Sequence, residues 1–210
     1  MAGLAARSLP ALSPQDLAGH EEYVHGKIVD ADLAHRQLEF VFFKEILILK
    51  SDLAQSRFEA PRFDTVRLEH CDLANAEWPR FIAQRVEFVG CRMDGFTIPE
   101  AYARDVRFEE CSLRFARIRF GTLKSATFER CDLNSVDFQA TDLTGATFAR
   151  CKLDEAEFSQ AILAGVNLRT ATIERIRAGI DELKGAIVDP FQASYLAGLM
   201  GLVIKHEGDE

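Results

Sequence analysis

The sequence predicts an all-β solenoid that turns through four short sides in every coil. Three observations predict it. First, the five cysteines, Cys71, Cys91, Cys111, Cys131 and Cys151, follow one another at intervals of 20 residues, and the 210-residue chain holds no others. A fixed spacing of this size marks a stacked repeat. Second, a shorter rhythm runs inside it. Every fifth residue from Ile28 to Ile173 is apolar, and only Ala83 and Ala103 are small. Third, neither common periodicity explains that rhythm. Residues five apart on an α-helix diverge by about 140°, and a flat strand alternates with period two. If each five-residue unit forms one side of a square coil, every column of side chains returns to the same place after four units.

The elements follow in chain order. Residues 1–25 form an N-terminal cap segment, partly irregular. Just beyond it, residues 38–50 read LEFVFFKEILILK and put Phe40, Phe42, Leu47 and Leu49 at outward positions. That is too apolar for a bare surface. Residues 4–24 are expected to fold back over it, with a short helix starting at Ser13-Pro14-Gln15-Asp16; the alternative is a partner site.

Residues 26–178 form the repeat shaft. The central residue of each unit points inward. The residue two before it is usually small (Ala76, Cys91, Ala116, Cys131, Ala146) and is expected to point inward near a corner. The other three face water and carry most of the charge. Stacking at about 4.8 Å then builds interior columns. One holds Leu33, Leu53, Leu73, Met93, Leu113, Leu133 and Leu153 with the cysteines beside them. Another holds Phe88, Phe108, Phe128 and Phe148, and a third Trp78, Ile98, Ile118, Phe138 and Phe158. One stretch, 79–103, departs from the pattern. Phe81 and Phe96 occupy small-residue positions, while Ala83 and Ala103 occupy large ones, which reads at 81–83 as an exchange of volume. Pro79 and Pro99 share one corner in successive coils. Proline removes a ladder donor, so this corner is expected to be bent or poorly paired. It is either a tolerated irregularity or a partner-binding bulge.

Units such as CDLNS, VDFQA, TDLTG and CKLDE resemble the pentapeptide-repeat family, whose motif is A(D/N)LXX. The resemblance spans the whole shaft without an insertion. It implies a right-handed quadrilateral β-helix, a handedness that the spacing alone does not supply.

Residues 179–210 form a C-terminal cap or dimerisation module with an acidic tail. Asp189 and Pro190 read as helix N-cap and first helical residue. Phe191, Tyr195, Leu196, Leu199 and Met200 then fall on one helical face. Gly201 ends the short capping helix, and Leu202-Val203-Ile204 reads as a short strand. The segment DPFQASYLAGLMGLVI resembles the C-terminal dimerisation module of quinolone-resistance pentapeptide-repeat proteins. The resemblance implies a two-fold homodimer; the residues themselves are equally those of a monomeric plug.

The chemistry expected of the chain is slight. At 210 residues it can bury a sizeable core in one domain. Its net charge of −8 disfavours nonspecific nucleic-acid binding. No apolar run reaches transmembrane length, and residues 1–24 lack the core of a secretory signal. A cytoplasmic location is expected, where thiols stay reduced. Buried thiols have raised pKa values and low reactivity, so the cysteines read as interior filler. His20, His25, His35, His70 and His206 lack metal-ligand spacing, and no phosphate loop, nucleophile elbow or zinc-protease motif is present. No catalytic residue, metal or cofactor is expected. The Leu/Cys face bears Asp32, Asp52, Asp72, Asp94, Asp132, Asp154 and Glu155 against Arg92, Arg114 and Lys152. The chain is therefore expected to be a noncatalytic scaffold binding an unnamed protein partner. The resemblance implies an alternative, a DNA mimic that binds DNA gyrase or topoisomerase IV and modulates quinolone sensitivity. The three cations interrupt the strip that such mimicry needs.

Overall fold

The computed structural model describes residues 9–204. Nearly all regular structure in it is parallel β. The strands are β1 (Glu22–Val29), β2 (Gln37–Glu39), β3 (Phe42–Leu49), β4 (Arg57–Glu59), β5 (Arg62–Glu69), β6 (Ile82–Val89), β7 (Tyr102–Glu109), β8 (Thr127–Glu129) and β9 (Thr147–Ala149). Seven of them make one parallel sheet in the order β1-β3-β5-β6-β7-β8-β9, and β2 pairs with β4. Every pairing between strands is offset by 20 residues, as in Phe43↔Phe63 and Phe88↔Phe108. Isolated bridges extend the same offset on the other sides, through Asp32↔Asp52, Glu77↔Thr97 and on to Asn167↔Ile187. The chain is thus a β-solenoid, and the expected period is its actual one.

The interior follows the five-residue rhythm. From Ile28 to Ile173 the central residues are buried, and so are the small residues two before them, such as Ala76, Cys91 and Ala146. The rings of Phe88, Phe108, Phe128 and Phe148 lie parallel, with successive centroids 4.9, 4.7 and 4.7 Å apart. Ala83 and Ala103 are buried, as are the large Phe81 and Phe96 at the small-residue positions. Phe81 meets Phe63 edge-on at 5.1 Å, and Trp78 packs edge-on against Phe96 at 5.2 Å. The Trp78 indole N–H donates to Ser56 Oγ at 3.1 Å, which satisfies its polar atom inside the core.

The corners are built in a way the repeat alone does not announce. Almost every residue at the end of a unit has positive φ, including His35, Gln55, Asn75, Arg130 and Ser135. Many units close with a turn bond, as from Arg36 N–H to the Leu33 carbonyl at 3.2 Å. That geometry needs positive φ at the third turn residue. The motif aspartate holds the turn from outside. Oδ1 of Asp32, Asp52, Asp72 and Asp132 each accepts from the backbone N–H two residues on.

This arrangement corrects the expectation for Pro79 and Pro99. The N–H at their position in other units points to the motif aspartate and not into the ladder, so proline removes no ladder bond. Both carbonyls accept ladder bonds at 2.9 Å, from Ala60 and Arg80. The corner is fully paired.

At the N-terminal end, residues 9–20 cover the first coil. Pro14–Asp16 form a short 3-10 helix, Leu9 and Leu17 are buried, and Leu12 N–H bonds the Lys27 carbonyl at 2.8 Å. Leu47 is buried, and the Phe40 ring packs on His20 at 5.1 Å while staying half exposed. The part of the expected fold-back at residues 4–8 lies outside the described residues.

At the other end, α1 (Pro190–Leu199) is capped by Asp189, whose side chain accepts from Phe191 and Gln192 N–H. Gly201, with φ of 82°, and the Leu202 N–H bond to the Ala197 carbonyl close the helix in a Schellman turn. The expected strand at Leu202-Val203-Ile204 is not formed. Leu202 is engaged in that turn, and among the described residues no strand stands beside it to complete a ladder. No helix of the described residues is long and apolar enough to cross a membrane.

Candidate functional site

The cysteine column lies inside, and all five thiols are free. Each sulfur donates to the carbonyl two residues earlier, and four of the five also reach a carbonyl of the preceding coil. Cys111, for example, lies 3.3 Å from the Glu109 oxygen and 3.4 Å from the Phe88 oxygen. The neighbouring thiol and burial push Cys91 and Cys111 up to about 12, and they raise Cys71 and Cys151 as well, while the thiols of Cys111 and Cys151 on either side lower Cys131. All five are buried, which keeps them from the partly exposed setting that reactive thiolates occupy. Among the described residues, no group of His, Cys, Asp and Glu is arranged to hold a metal ion. His20, His25, His35 and His70 all sit at positive-φ corners; His206 lies outside the described residues.

The expected acidic strip is largely engaged. Asp72 pairs with Arg92, Asp94 with Arg114 at 2.7 Å, and Glu155 with Arg175 at 2.9 Å. Asp94 illustrates the balance of forces. Partial burial pushes its carboxyl up, but the Arg114 guanidinium and the Ser112 hydroxyl hold it below the ordinary carboxylate range. Asp154 accepts from the Glu174 N–H and the Thr172 hydroxyl. Asp32, Asp52 and Asp72 are successive register neighbours in one ladder. Similar pairs tie coils together on the other faces, among them Arg67–Glu87 at 2.6 Å and Arg107–Glu129 at 2.6 Å. A shallow groove of about 350 Å³ is lined by such pairs, including Arg119–Asp137 and Arg177–Glu157.

The C-terminal residues do not share one face as expected. Leu196 is buried and Tyr195 half-buried, its hydroxyl accepting from Arg175 N–H. Phe191, Leu199 and Met200 are exposed, and they join exposed Leu202, Val203 and Ile204 in an apolar surface. Helical geometry sets the division: the inward face carries Gln192, Tyr195 and Leu196, spaced i, i+3, i+4. Gln192 is the residue that sequence reasoning missed. Its buried side-chain N–H group donates to the carbonyls of Leu168 at 2.7 Å and Ala171 at 2.8 Å, while its oxygen accepts from Asp189 N–H. The signal was available as the Asp-x-x-Gln capping box at 189–192. It was obscured because the apolar residues drew the helical face elsewhere.

A family model described as "Pentapeptide repeat region" matches residues 61–138, and one described as "Pentapeptide repeats (8 copies)" matches residues 131–169. No curated protein matches the chain. Among solved structures, HetL, a pentapeptide repeat protein involved in heterocyst differentiation regulation from the cyanobacterium Nostoc, is 20% identical. That match covers 81% of this chain and 90% of HetL, with a TM-score of 0.38. A trypsin-treated form of QnrB1, a plasmid-mediated fluoroquinolone resistance protein, is 19% identical over 89% of this chain and 91% of its own, with a TM-score of 0.43.

Proposed function

The chain is a pentapeptide-repeat protein, and from that premise we propose that it acts without catalysis, presenting a rigid surface to a protein partner. The carrying observation is the network of ion pairs between coils, such as Arg67–Glu87 and Arg114–Asp94. These pairs hold long side chains in register before any partner arrives. A surface already ordered loses less freedom on association. The tagged full-length chain, used for affinity capture from its source cell, is expected to retain a stable protein partner; repeated capture of none removes the reading.

The scaffold acts as a two-fold homodimer through its C-terminal module. Phe191 is 88% and Val203 84% exposed on that surface, and a self-complementary contact between copies covers such residues economically. Light scattering after size exclusion is expected to give twice the 23.5 kDa chain mass. A single-chain mass at high concentration removes the dimer.

A second reading is binding to a type II topoisomerase by the acidic strip. It is favoured by the stacked carboxylates of Asp32, Asp52 and Asp72, since duplex DNA also presents regularly spaced charge. A gyrase supercoiling assay with and without ciprofloxacin tests it. Joint replacement of Asp52, Asp72, Asp132 and Asp154 by Asn abolishes any effect on this reading. Asn retains the side-chain oxygen that three of these residues offer their turns, so loss of folding does not confound the result.

A further inference from the structure

We infer that Phe115, Arg117 and Phe120 form a docking surface for a protein segment with a carboxylate flanked by apolar side chains. The inference rests on the scaffold reading and names the chemistry of its partner.

Three observations converge on it. Phe115 and Phe120 are 63% and 58% exposed. Both stand at left-handed corners, with φ of 59° and 58°, the corner geometry the other units share. The other aromatic corner residue in the shaft, Phe40, packs its ring against His20. Phe115 and Phe120 have no ring partner among the described residues. Two bulky apolar side chains therefore stand wet at successive corners of one coil.

Charge supplies the second half. Residues 111–128 contain Arg114, Arg117, Arg119 and Lys124 but no acid, in a chain of net charge −8. Carboxylates from adjacent coils hold three of these cations: Asp94 for Arg114, Asp137 for Arg119 and Asp142 for Lys124. Arg117 lies between the two phenylalanines and forms no ion pair among the described residues. Asp137, its ladder neighbour, is turned to Arg119 at 2.7 Å. Below it, the coil offers uncharged Thr97 and Pro99. One free guanidinium between two apolar anchors fits an acidic side chain between apolar ones. A polyphosphate fits poorly, because the neighbouring cations are already paired with Asp94, Asp137 and Asp142 and one guanidinium matches a single carboxylate and not several charges.

The test uses the full chain, its Arg117→Glu variant and its Phe115→Ser/Phe120→Ser variant, each checked by a circular dichroism melt. Arg117 is exposed, so its variant keeps the test valid if the double variant fails to fold. A phage-displayed random peptide library is selected on the parent chain. Enriched peptides are expected to carry a carboxylate between apolar residues and to lose at least about tenfold in affinity on either variant, as anchor residues do. Recovery of no peptide, or of peptides that are basic or bind the variants equally, overturns the assignment. A switch from dimer to monomer on Phe115→Ser/Phe120→Ser gives the surface to a second copy and overturns it too. So does retention of a duplex DNA probe by the parent but not by Arg117→Glu. A cellular partner captured equally by parent and variants removes this surface and leaves the scaffold reading intact.

Discussion

At the scale of the residue, inward and corner positions differ sharply in what they contribute. Phe128 is fully buried between two parallel rings. Phe128→Ala is expected to cost about 3–5 kcal/mol in urea denaturation, the usual range for a buried phenylalanine; a loss below about 1 kcal/mol contradicts the stacking. Phe115→Gly, by contrast, relieves a left-handed φ while giving the unfolded chain more freedom. Its stability is expected to lie within about 1 kcal/mol of the parent. Asp132 separates charge from turn: Asp132→Ala removes the acceptor for Asn134 N–H and is expected to cost about 1 kcal/mol, whereas Asp132→Asn keeps most of that bond. The inward columns were legible because Leu, Phe or Ile recurs at every central position except Trp78, Ala83, Met93 and Ala103. The corners were not. Left-handed turns usually advertise themselves through glycine or asparagine, yet here His35, Gln55, Arg80 and Glu110 adopt them. Ladder bonds such as Gln55 N–H to the Ala74 carbonyl, at 2.9 Å, override the local preference.

At the scale of the element, the two ends were legible in unequal measure. Asp189-Pro190 announced the helix start, because an N-cap and a fixed φ act locally. The fate of Leu202-Val203-Ile204 depends on whether another strand stands beside it, which local sequence does not encode. Gln192 joins the helix to the last coil. Gln192→Leu is expected to leave the Ala171 carbonyl without a donor and the Leu168 carbonyl with the Ala171 N–H alone, at a cost of about 1–3 kcal/mol for a buried group left unpaired. Faster amide exchange in residues 165–188, with the centre of the shaft unchanged, is the expected signature. The pairs between coils carry a pH signature. Asp94 and Asp142 feel an upward push from partial burial, but Arg114 and Lys124 respectively outweigh it and hold both below their ordinary value. A lowered carboxyl stabilises the fold fully above its unfolded value and loses that contribution as pH falls through the folded one. The urea midpoint is therefore expected to gain nothing from these groups between about pH 7 and 5, and to fall below about pH 4. Asp94→Asn with Asp142→Asn flattens that acid slope.

At the scale of the whole molecule, each coil touches only the coils beside it, so stability resembles a sum over neighbours. Hydrogen exchange is expected to be slowest across β5 to β8 and faster in the first and last coils, which have a neighbour on one side only. Uniform protection along the shaft contradicts this. The architecture was legible at this scale because one rhythm governs the chain from Ile28 to Ile173. The interaction surfaces were less so: the acidic face was visible as a list of aspartates, but its pairing with arginines of the next coil depends on side-chain reach. A shaft of near-identical turns also has a problem of identity. If two segments associate one full turn out of step, Phe128 still finds a phenylalanine and Leu133 still finds a leucine, so most of the column cannot tell right from wrong. The exchange of sizes around Trp78 can. Phe81 and Phe96 stand where other turns carry small residues, and Ala83 and Ala103 where other turns carry large ones, so a chain assembled one turn astray meets a clash in one place and an empty space in another. The apparent flaw in the pattern works as the key that fits a single lock, giving an otherwise interchangeable stack one correct alignment.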